Sequence, residues 1–475
     1  MNTNLIGRKE EIAILNEKFY SSKSEFVALY GRRRVGKTFL IRNLFEGKFT
    51  FRLTGLGQAG LELQLANFQE AMQEQYPKVR QKKALNWMDA FRGLRSVIEK
   101  SKHKKKIIFI DELPWFDTPH SGFIPALEHF WNSWASARKD ILLIVCGSAA
   151  SWMINTLINN KGGLHNRVTQ KLRIAPFSLE ECEELLRKRK NHLDRYQLIQ
   201  LYMVLGGNPF YWDAIKKGQS AAQTINSLCF GSNGLLTGEF DNLFKSLFAK
   251  AERHEAIVTA LARKSRGLSR EEISKASKLA NGGGFTRLLN ELEESGFIRK
   301  YIPFGKTSRN SLYQLTDLFS LFHIRFIKDH KSKDRDYWLK MIDNPLHRAW
   351  SGYAFEQVCL NHTAQLKKAL GIGGVETEIS AWRSIKTKDG AQVDLIIDRR
   401  DNVINLCEMK FSINRFVIDK KYDRELRHKA GTFKNETGTR KSVFLTMVTT
   451  FGLQPNLYSG NVQSDLNMTA LFEQV

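Results

Sequence analysis

The stretch "EFVALYGRRRVGKTFLIRNLF" constrains this chain more than any other. Glu25 to Tyr30 reads as a buried strand, Gly31 to Thr38 fits G-x-x-x-x-G-K-[ST], and "TFLIRNLF" opens a helix. Strand, glycine-bearing loop and helix in that order turn backbone N–H groups inward onto phosphate oxygens. Gly31 and Gly36 permit the turn. Lys37 would reach the β- and γ-phosphates, Thr38 would ligate Mg2+, and the helix N-terminus adds positive potential. The expected ligands are ATP and Mg2+.

Two further strands support this cradle. "KKKIIFIDELPW" is a lysine run, an apolar strand over Ile107 to Ile110, and then two acids. A strand inside a parallel sheet is apolar on both faces. Asp111 at its end would hold Mg2+ through water, and Glu112 would orient or deprotonate the attacking water. "DILLIVCGSAASWM" ends in Gly147-Ser148. Ser148 either touches the γ-phosphate or the attacking water, or is simply a turn residue. In "GGLHNRV", Arg167 is either an arginine finger, neutralising charge on the transferring phosphoryl group, or a surface residue.

With 475 residues, the chain is too long for one core. Hydrophobic residues make up 42% and charged residues 26%, which excludes disorder. No apolar run reaches ~18 residues, so no membrane span or membrane partner is expected. The opening "MNTNLIGRKEE" lacks the apolar stretch of a signal peptide. The five cysteines are far apart and form no CxxC pair, which argues against a disulfide framework or zinc site and fits a reducing cytoplasm. The net charge of +24 favours a polyanionic partner, nucleic acid above all; its bland counterpart is a solvated basic surface.

Residues from about 178 to 245 show apolar positions at three- and four-residue spacing and read as helices. "HEAIVTALARK" and "LSREEISKASK" follow as two short helices, the second opened by a Ser269–Glu272 capping box. "FTRLLNELEESGF" is a third helix, and "IRKYIPFG" with "SLYQLTD" forms a two-stranded wing. This is the pattern of a winged helix-turn-helix. Residues 250–310 hold 13 Lys and Arg against 7 acids. The third helix itself carries Glu291, Glu293 and Glu294 against Arg287, so the module either contacts DNA or serves an internal role.

"KDHKSKDRDYW", 328 to 338, reads as a linker, and "HRAWSGYAFEQVCLNHTAQLKKAL" as a helix carrying Glu356. "VETEISAWRS" is a strand, and "QVDLIIDRRDNVINLCEMK" a hairpin. Pairing Ile397 with Val403 across a five-residue loop would set Asp394 on one face with Leu406, Glu408 and Lys410. Two carboxylates, an ammonium and Glu356 from the preceding helix suit Mg2+ and a hydrolytic water. The alternative is surface ion pairing.

In order, "LIGRKEEIAIL", the phosphate loop, "IIFIDELPW", "CGSAASWM", "RIAPFSLEE" and "LGGNPFYW" resemble a prokaryotic, archaeal-type ATPase family in the STAND branch of the AAA+ superfamily. The resemblance implies that Gly7 and Arg8 lie near the nucleotide base and that Gly207-Asn208-Pro209 sits in a helical lid. "GGLHNR" departs from the family's "PLYGR". The run Glu356, Asp394, Glu408-x-Lys410 resembles the PD-(D/E)xK nuclease superfamily, with Val393 in place of its usual proline. That resemblance implies Glu356, Asp394 and Glu408 as metal ligands, Lys410 as the water-positioning lysine and Lys421 as a phosphate contact.

The expected architecture is multidomain α/β. It comprises a P-loop ATPase core (1–177), a helical lid (178–245), a winged helix (246–325), a linker (326–344) and a restriction-endonuclease-like domain (345–475). The expected function is a Mg2+-dependent ATPase coupled to nucleic-acid binding or cleavage, DNA before RNA, with a protein partner or second copy in view. The alternative is a nucleotide switch or DNA-binding regulator whose last domain is inactive.

Overall fold

A computed structural model describes residues 5–80, 82–159, 162–248, 250–264, 267–330, 334, 336–342, 344–384 and 390–475. The chain divides after Pro176 into two compact units. No helix among the described residues is long and apolar enough to cross a membrane.

The first unit is built on five parallel strands, β1 (Glu25–Tyr30), β2 (Phe49–Thr54), β3 (Lys106–Asp111), β4 (Ile141–Gly147) and β5 (Gln170–Arg173), in the order β2-β3-β4-β1-β5. Strict alternation sorts their side chains to two cores. Phe26, Ala28, Ile108, Ile110, Leu143 and Val145 pack against the helices Leu61–Gln75, Trp87–Lys100 and Phe123–Phe130. Val27, Leu29, Ile107, Phe109, Leu142 and Ile144 pack on the other face, with Leu15 and with Leu40 and Ile41 of the helix Lys37–Leu44. Covered on both sides, these strands read as unbroken apolar runs. The register pairs Tyr30 with Gly147 and Ile110 with Val145. The carboxyl ends of β1, β3 and β4 therefore open at one edge.

The second unit, Phe177–Val475, contains the segments expected as lid, winged helix, linker and last domain. It starts with the helices Leu179–Lys188, Arg195–Leu205, Pro209–Asp213, Ala221–Cys229 and Glu239–Leu247. The helices Ala251–Ala262, Arg270–Ser277 and Gly283–Glu294 follow, with a small sheet of β6 (Leu268–Ser269), β7 (Ile298–Tyr301) and β8 (Leu312–Leu315) in the order β6-β8-β7. Ser269 and Glu272 do form a reciprocal cap. Part of the expected linker, 331–333, 335 and 343, lies outside the described residues. Its described end is not a free tether. Trp338 is buried, stacked on Phe230 and edge-on to Phe322 and Phe326.

The last sheet holds β9 (Thr377–Arg383), β10 (Gln392–Arg399), β11 (Val403–Lys410), β12 (Ser442–Thr449) and β13 (Ser464–Leu466), in the order β13-β12-β11-β10-β9. The first three run antiparallel, and the helix Lys420–Thr437 crosses over to make β12 parallel to β11.

Of the histidines buried in this unit, His323 and His362 have their imidazoles shifted by burial. The Nε2 of His362 accepts the Leu179 N–H at 3.0 Å, and its Nδ1–H donates to Val358 O at 2.8 Å. His323 stacks on Phe240. Burial pushes both imidazoles down to about 4. Both stay neutral in the folded state while the unfolded chain binds protons below about pH 6.5. Stability is therefore full above that pH and falls as pH drops toward 4, by about 3 kcal/mol per histidine. Urea midpoints measured from pH 7 to pH 4 check this; a flat profile contradicts it.

Candidate active site

Immediately after β1 the backbone takes a path that only glycine follows. Gly31 has φ +144°, and a Cβ there would stand 2.3 Å from Ile174 O. Arg34, at φ 67°, and Gly36, at φ 91°, complete the turn into the helix Lys37–Leu44. No side chain caps that helix, so its first N–H groups face the loop. Lys37 is 5% exposed. Its ammonium folds back to donate to Gly31 O and Arg32 O, each at 2.8 Å. Burial lowers its pKa, while Cys146, Glu112 and Asp111 oppose that shift. Such an ammonium is held in reserve by its own loop carbonyls.

The strand ends supply the rest. The Thr38 hydroxyl donates to Asp111 Oδ2 at 2.8 Å. The other oxygen of Asp111 lies 2.6 Å from the Cys146 thiol, which donates to it. Burial, with Asp111 beside it, keeps that thiol protonated. Glu112 adopts φ 50° and turns its carboxylate to Ser148, accepting from the hydroxyl at 2.7 Å and from the N–H at 3.1 Å. A hydroxyl and a carboxylate in contact are hard oxygen donors and fit Mg2+, so Thr38 and Asp111 are the residues that would hold it. The opening Gly7-Arg8 joins the loop, because buried Arg8 donates to Val35 O at 3.1 Å. Arg167 is exposed before β5, and among the described residues no hydrogen bond ties its side chain to Lys37, Thr38, Asp111 or Glu112. Pro209 belongs to the second unit, where it opens the helix Pro209–Asp213 behind the Asn208 cap.

The second candidate cluster lies on the last sheet. The register expected for its hairpin is corrected by two residues: Ile397 pairs with Asn405, and Leu395 with Cys407. The connection is a three-residue loop between Arg399 and Val403, with Asn402 left-handed at φ 65°. A type I turn followed by a left-handed residue closes such hairpins tightly. One step beyond Leu395 and Cys407, the ladder sets Asp394 beside Glu408. Burial first, then Asp394 and Glu408, push the Glu356 carboxyl up to about 8, against the pull of Lys410 and Lys429. Asp394, Glu408 and Lys410 are thus each within electrostatic reach of Glu356.

They do not form a metal cage. Among the described residues there is no group of three or more His, Cys, Asp or Glu poised to hold a metal ion. Glu408 is taken by Lys429, whose ammonium lies 2.6 Å from Oε1. Asp394 accepts from the Gln392 amide at 2.6 Å, and Lys410 sits over the Tyr422 ring at 5.4 Å. Metal ligation by Glu356, Asp394 and Glu408 together does not fit the side chains as folded. Two contacts bear on the middle segment. Phe304, between β7 and β8, donates its N–H to Ala381 O at 2.8 Å and packs on Phe433, so this connection is tied to β9. Glu291 turns inward to His254 at 2.8 Å, leaving Thr286, Arg287 and Asn290 exposed on its helix.

Residues 5–213 match a family described as an ATPase domain predominantly from Archaea. The chain carries an archaeal-type P-loop ATPase domain. An uncharacterized protein of Methanocaldococcus jannaschii is 24% identical over 435 residues, spanning 90% of this chain and 91% of the relative. An uncharacterized ATP-binding protein of the same organism is 49% identical over 43 residues, which is 9% of this chain and 73% of that protein. Among solved structures, a Walker-type ATPase of Pyrococcus abyssi shares the fold at 17% identity and TM-score 0.50, over 68% of this chain and 97% of that one.

Sequence reading of the ATPase domain missed Cys146 as the second donor to Asp111, and Ser148 as the partner of Glu112. In the last sheet it missed Lys429. A signal for that lysine was present: Tyr422, Leu426, Lys429 and Phe433 repeat at helical spacing, and the buried Leu426 and Phe433 mark the sheet-facing side.

Proposed function

We propose that this chain is a Mg2+-dependent ATPase that couples ATP hydrolysis to nucleic-acid binding or processing, with DNA as the favoured polymer. One observation carries the ATPase part: Lys37, Thr38, Asp111, Glu112 and Ser148 form a single hydrogen-bonded group at the carboxyl ends of β1, β3 and β4. When ATP binds, Lys37 exchanges two loop carbonyls for β/γ-phosphate oxygens. Mg2+, when bound, neutralises phosphate charge. Glu112 leaves Ser148 to orient the attacking water and accept its proton. Arg167, which among the described residues bonds to none of these side chains, is proposed as an arginine finger, supplied by its own chain or by a second copy.

The nucleic-acid part rests on the charge of +24, on the winged-helix arrangement of residues 250–315, and on the nuclease-like order of the last sheet. Three antiparallel strands, a crossover helix and a parallel strand, with Glu356, Asp394, Glu408 and Lys410 near one another, support a PD-(D/E)xK-like domain. A second reading, a nucleotide switch with an inactive last domain, is favoured by the Lys429–Glu408 pair and the tethered wing.

The test is binding and cleavage of DNA and RNA by the full chain with Mg2+ or Mn2+, with and without ATP. Lys37→Ala is expected to abolish nucleotide binding and to remove any effect of ATP on nucleic acid. Asp394→Ala is expected to remove cleavage and spare ATP turnover. Binding without cleavage under all conditions favours the switch; no binding at all sinks the nucleic-acid reading.

A further inference from the structure

The connection between β7 and β8 and the β9 edge of the last sheet enclose a cavity of about 610 Å3. That is within the range of small-molecule sites, roughly 300–1,000 Å3. Phe304 from the connection and Trp382 from β9 line it, and both rest on Phe433, at ring separations of 5.0 and 5.3 Å. The bond from Phe304 N–H to Ala381 O, at 2.8 Å, pins these two walls together. Tyr301, the last residue of β7, adds a third ring, wedged so closely that a Cβ at Gly267 would collide with its hydroxyl. Rings fixed by their own packing lose little freedom when a ligand stacks on them.

The polar lining sets the chemistry of the occupant. Among the described residues the walls carry Glu272, Asp394 and Glu436 against Lys306 and Arg383. Glu272 belongs to the Ser269 cap, and Glu436 accepts from the Ser384 hydroxyl at 2.5 Å. Asp394 is oriented by the Gln392 amide, 2.6 Å from its Oδ1. A carboxylate has about four acceptor positions, so Asp394 can take further donors. Burial first, then Asp394, push the Tyr301 phenol up to about 12, so carboxylate and ring are neighbours. An excess of carboxylates opposes a phosphate inside the cavity and favours a neutral ligand with N–H groups. A flat, neutral, N–H-bearing group that stacks on aromatic rings is a nucleobase. Guanine presents a ring N–H and an amino group side by side, matched to the two oxygens of one carboxylate; thymine has a single N–H on that edge. We propose that this cavity receives a guanine base from an unpaired strand, stacked on the rings with its N–H edge on Asp394. The proposal rests on reading the chain as a nucleic-acid binder, and it needs neither metal nor cleavage. Lys306 and Arg383 are exposed and can meet the phosphates that flank the inserted base.

The measurement is fluorescence anisotropy of a labelled, short single-stranded thymine oligonucleotide with one central guanine, compared with the same strand carrying inosine or thymine there. Inosine stacks like guanine and lacks only the amino group. The full chain is used in EDTA, so that no metal-dependent cleavage intervenes, and with Lys37→Ala to silence the ATP site. The guanine strand is expected to bind at least fivefold more tightly than either of the others, the size of one hydrogen bond to a charged group. Asp394→Asn is expected to erase the gap between guanine and inosine. Asn310→Trp and Thr437→Trp, which fill the cavity, are expected to erase the preference for guanine altogether. Thermal unfolding reports folding, and the exposed position of Asn310 guards against Thr437→Trp failing to fold. Free guanosine is expected to compete only at concentrations at least a hundredfold above the strand's; competition at equal concentration would overturn the polymer as the source. If the three strands bind equally, or the filled variants keep the preference, the cavity inference is wrong and the nucleic-acid reading stands. If no strand binds, that reading falls and takes this inference with it.

Discussion

Replacing Glu112 with Gln lowers ATP turnover by about 10²–10⁴-fold while nucleotide stays bound, the range of a lost general base. The geometry separates the two roles. Binding uses the loop N–H groups, Lys37 and Thr38, and none of these bonds to Glu112. Its carboxylate is parked on Ser148 at 2.7 Å, and the left-handed backbone at φ 50° aims it there. Gln keeps the shape and one acceptor oxygen, so the backbone and the Ser148 bond survive, but it cannot take a proton from water. Steady-state hydrolysis together with titration of a fluorescent ATP analogue distinguishes the outcomes. Turnover at the unaltered rate would remove Glu112 from the base role. Lost binding would make it structural.

If the chain binds duplex DNA as proposed, its affinity is expected to fall steeply with salt, by about 10²-fold between 50 and 200 mM for four neutralised phosphates, since each releases counterions. The net charge of +24 supplies the field. On the helix Gly283–Glu294, Arg287 is exposed and is expected to contribute a phosphate contact. Arg287→Ala is expected to reduce the slope of log affinity against log salt by about one. Fluorescence anisotropy across a salt series measures both. A flat series would assign the charge to solvation alone.

The cradle was readable from the chain because its parts are consecutive. Gly31 to Thr38 is one turn of backbone, and Asp111-Glu112 and Gly147-Ser148 follow apolar runs that can only be buried strands. The hairpin was readable in outline. Its register was off by two residues because the tight turn places Asn402, not the middle of a longer loop, at the left-handed position. The error was mild: side chains alternate with period two, so a shift of two residues leaves every side chain on the same face.

What the sequence by itself determined is which residues gather at the strand ends of the first unit, since motif and strand order there are local. Only the tertiary structure decided which partner each charge takes. Cys146 lies 35 positions from Asp111, Ser148 36 from Glu112, Lys429 21 from Glu408, and Glu291 37 from His254. A buried carboxylate must find a donor, but many donors of similar chemistry are available along the chain. The choice among them follows from how helices and strands pack, so a lysine on a crossover helix could claim a carboxylate that the local Glu-x-Lys pattern assigned to its own strand.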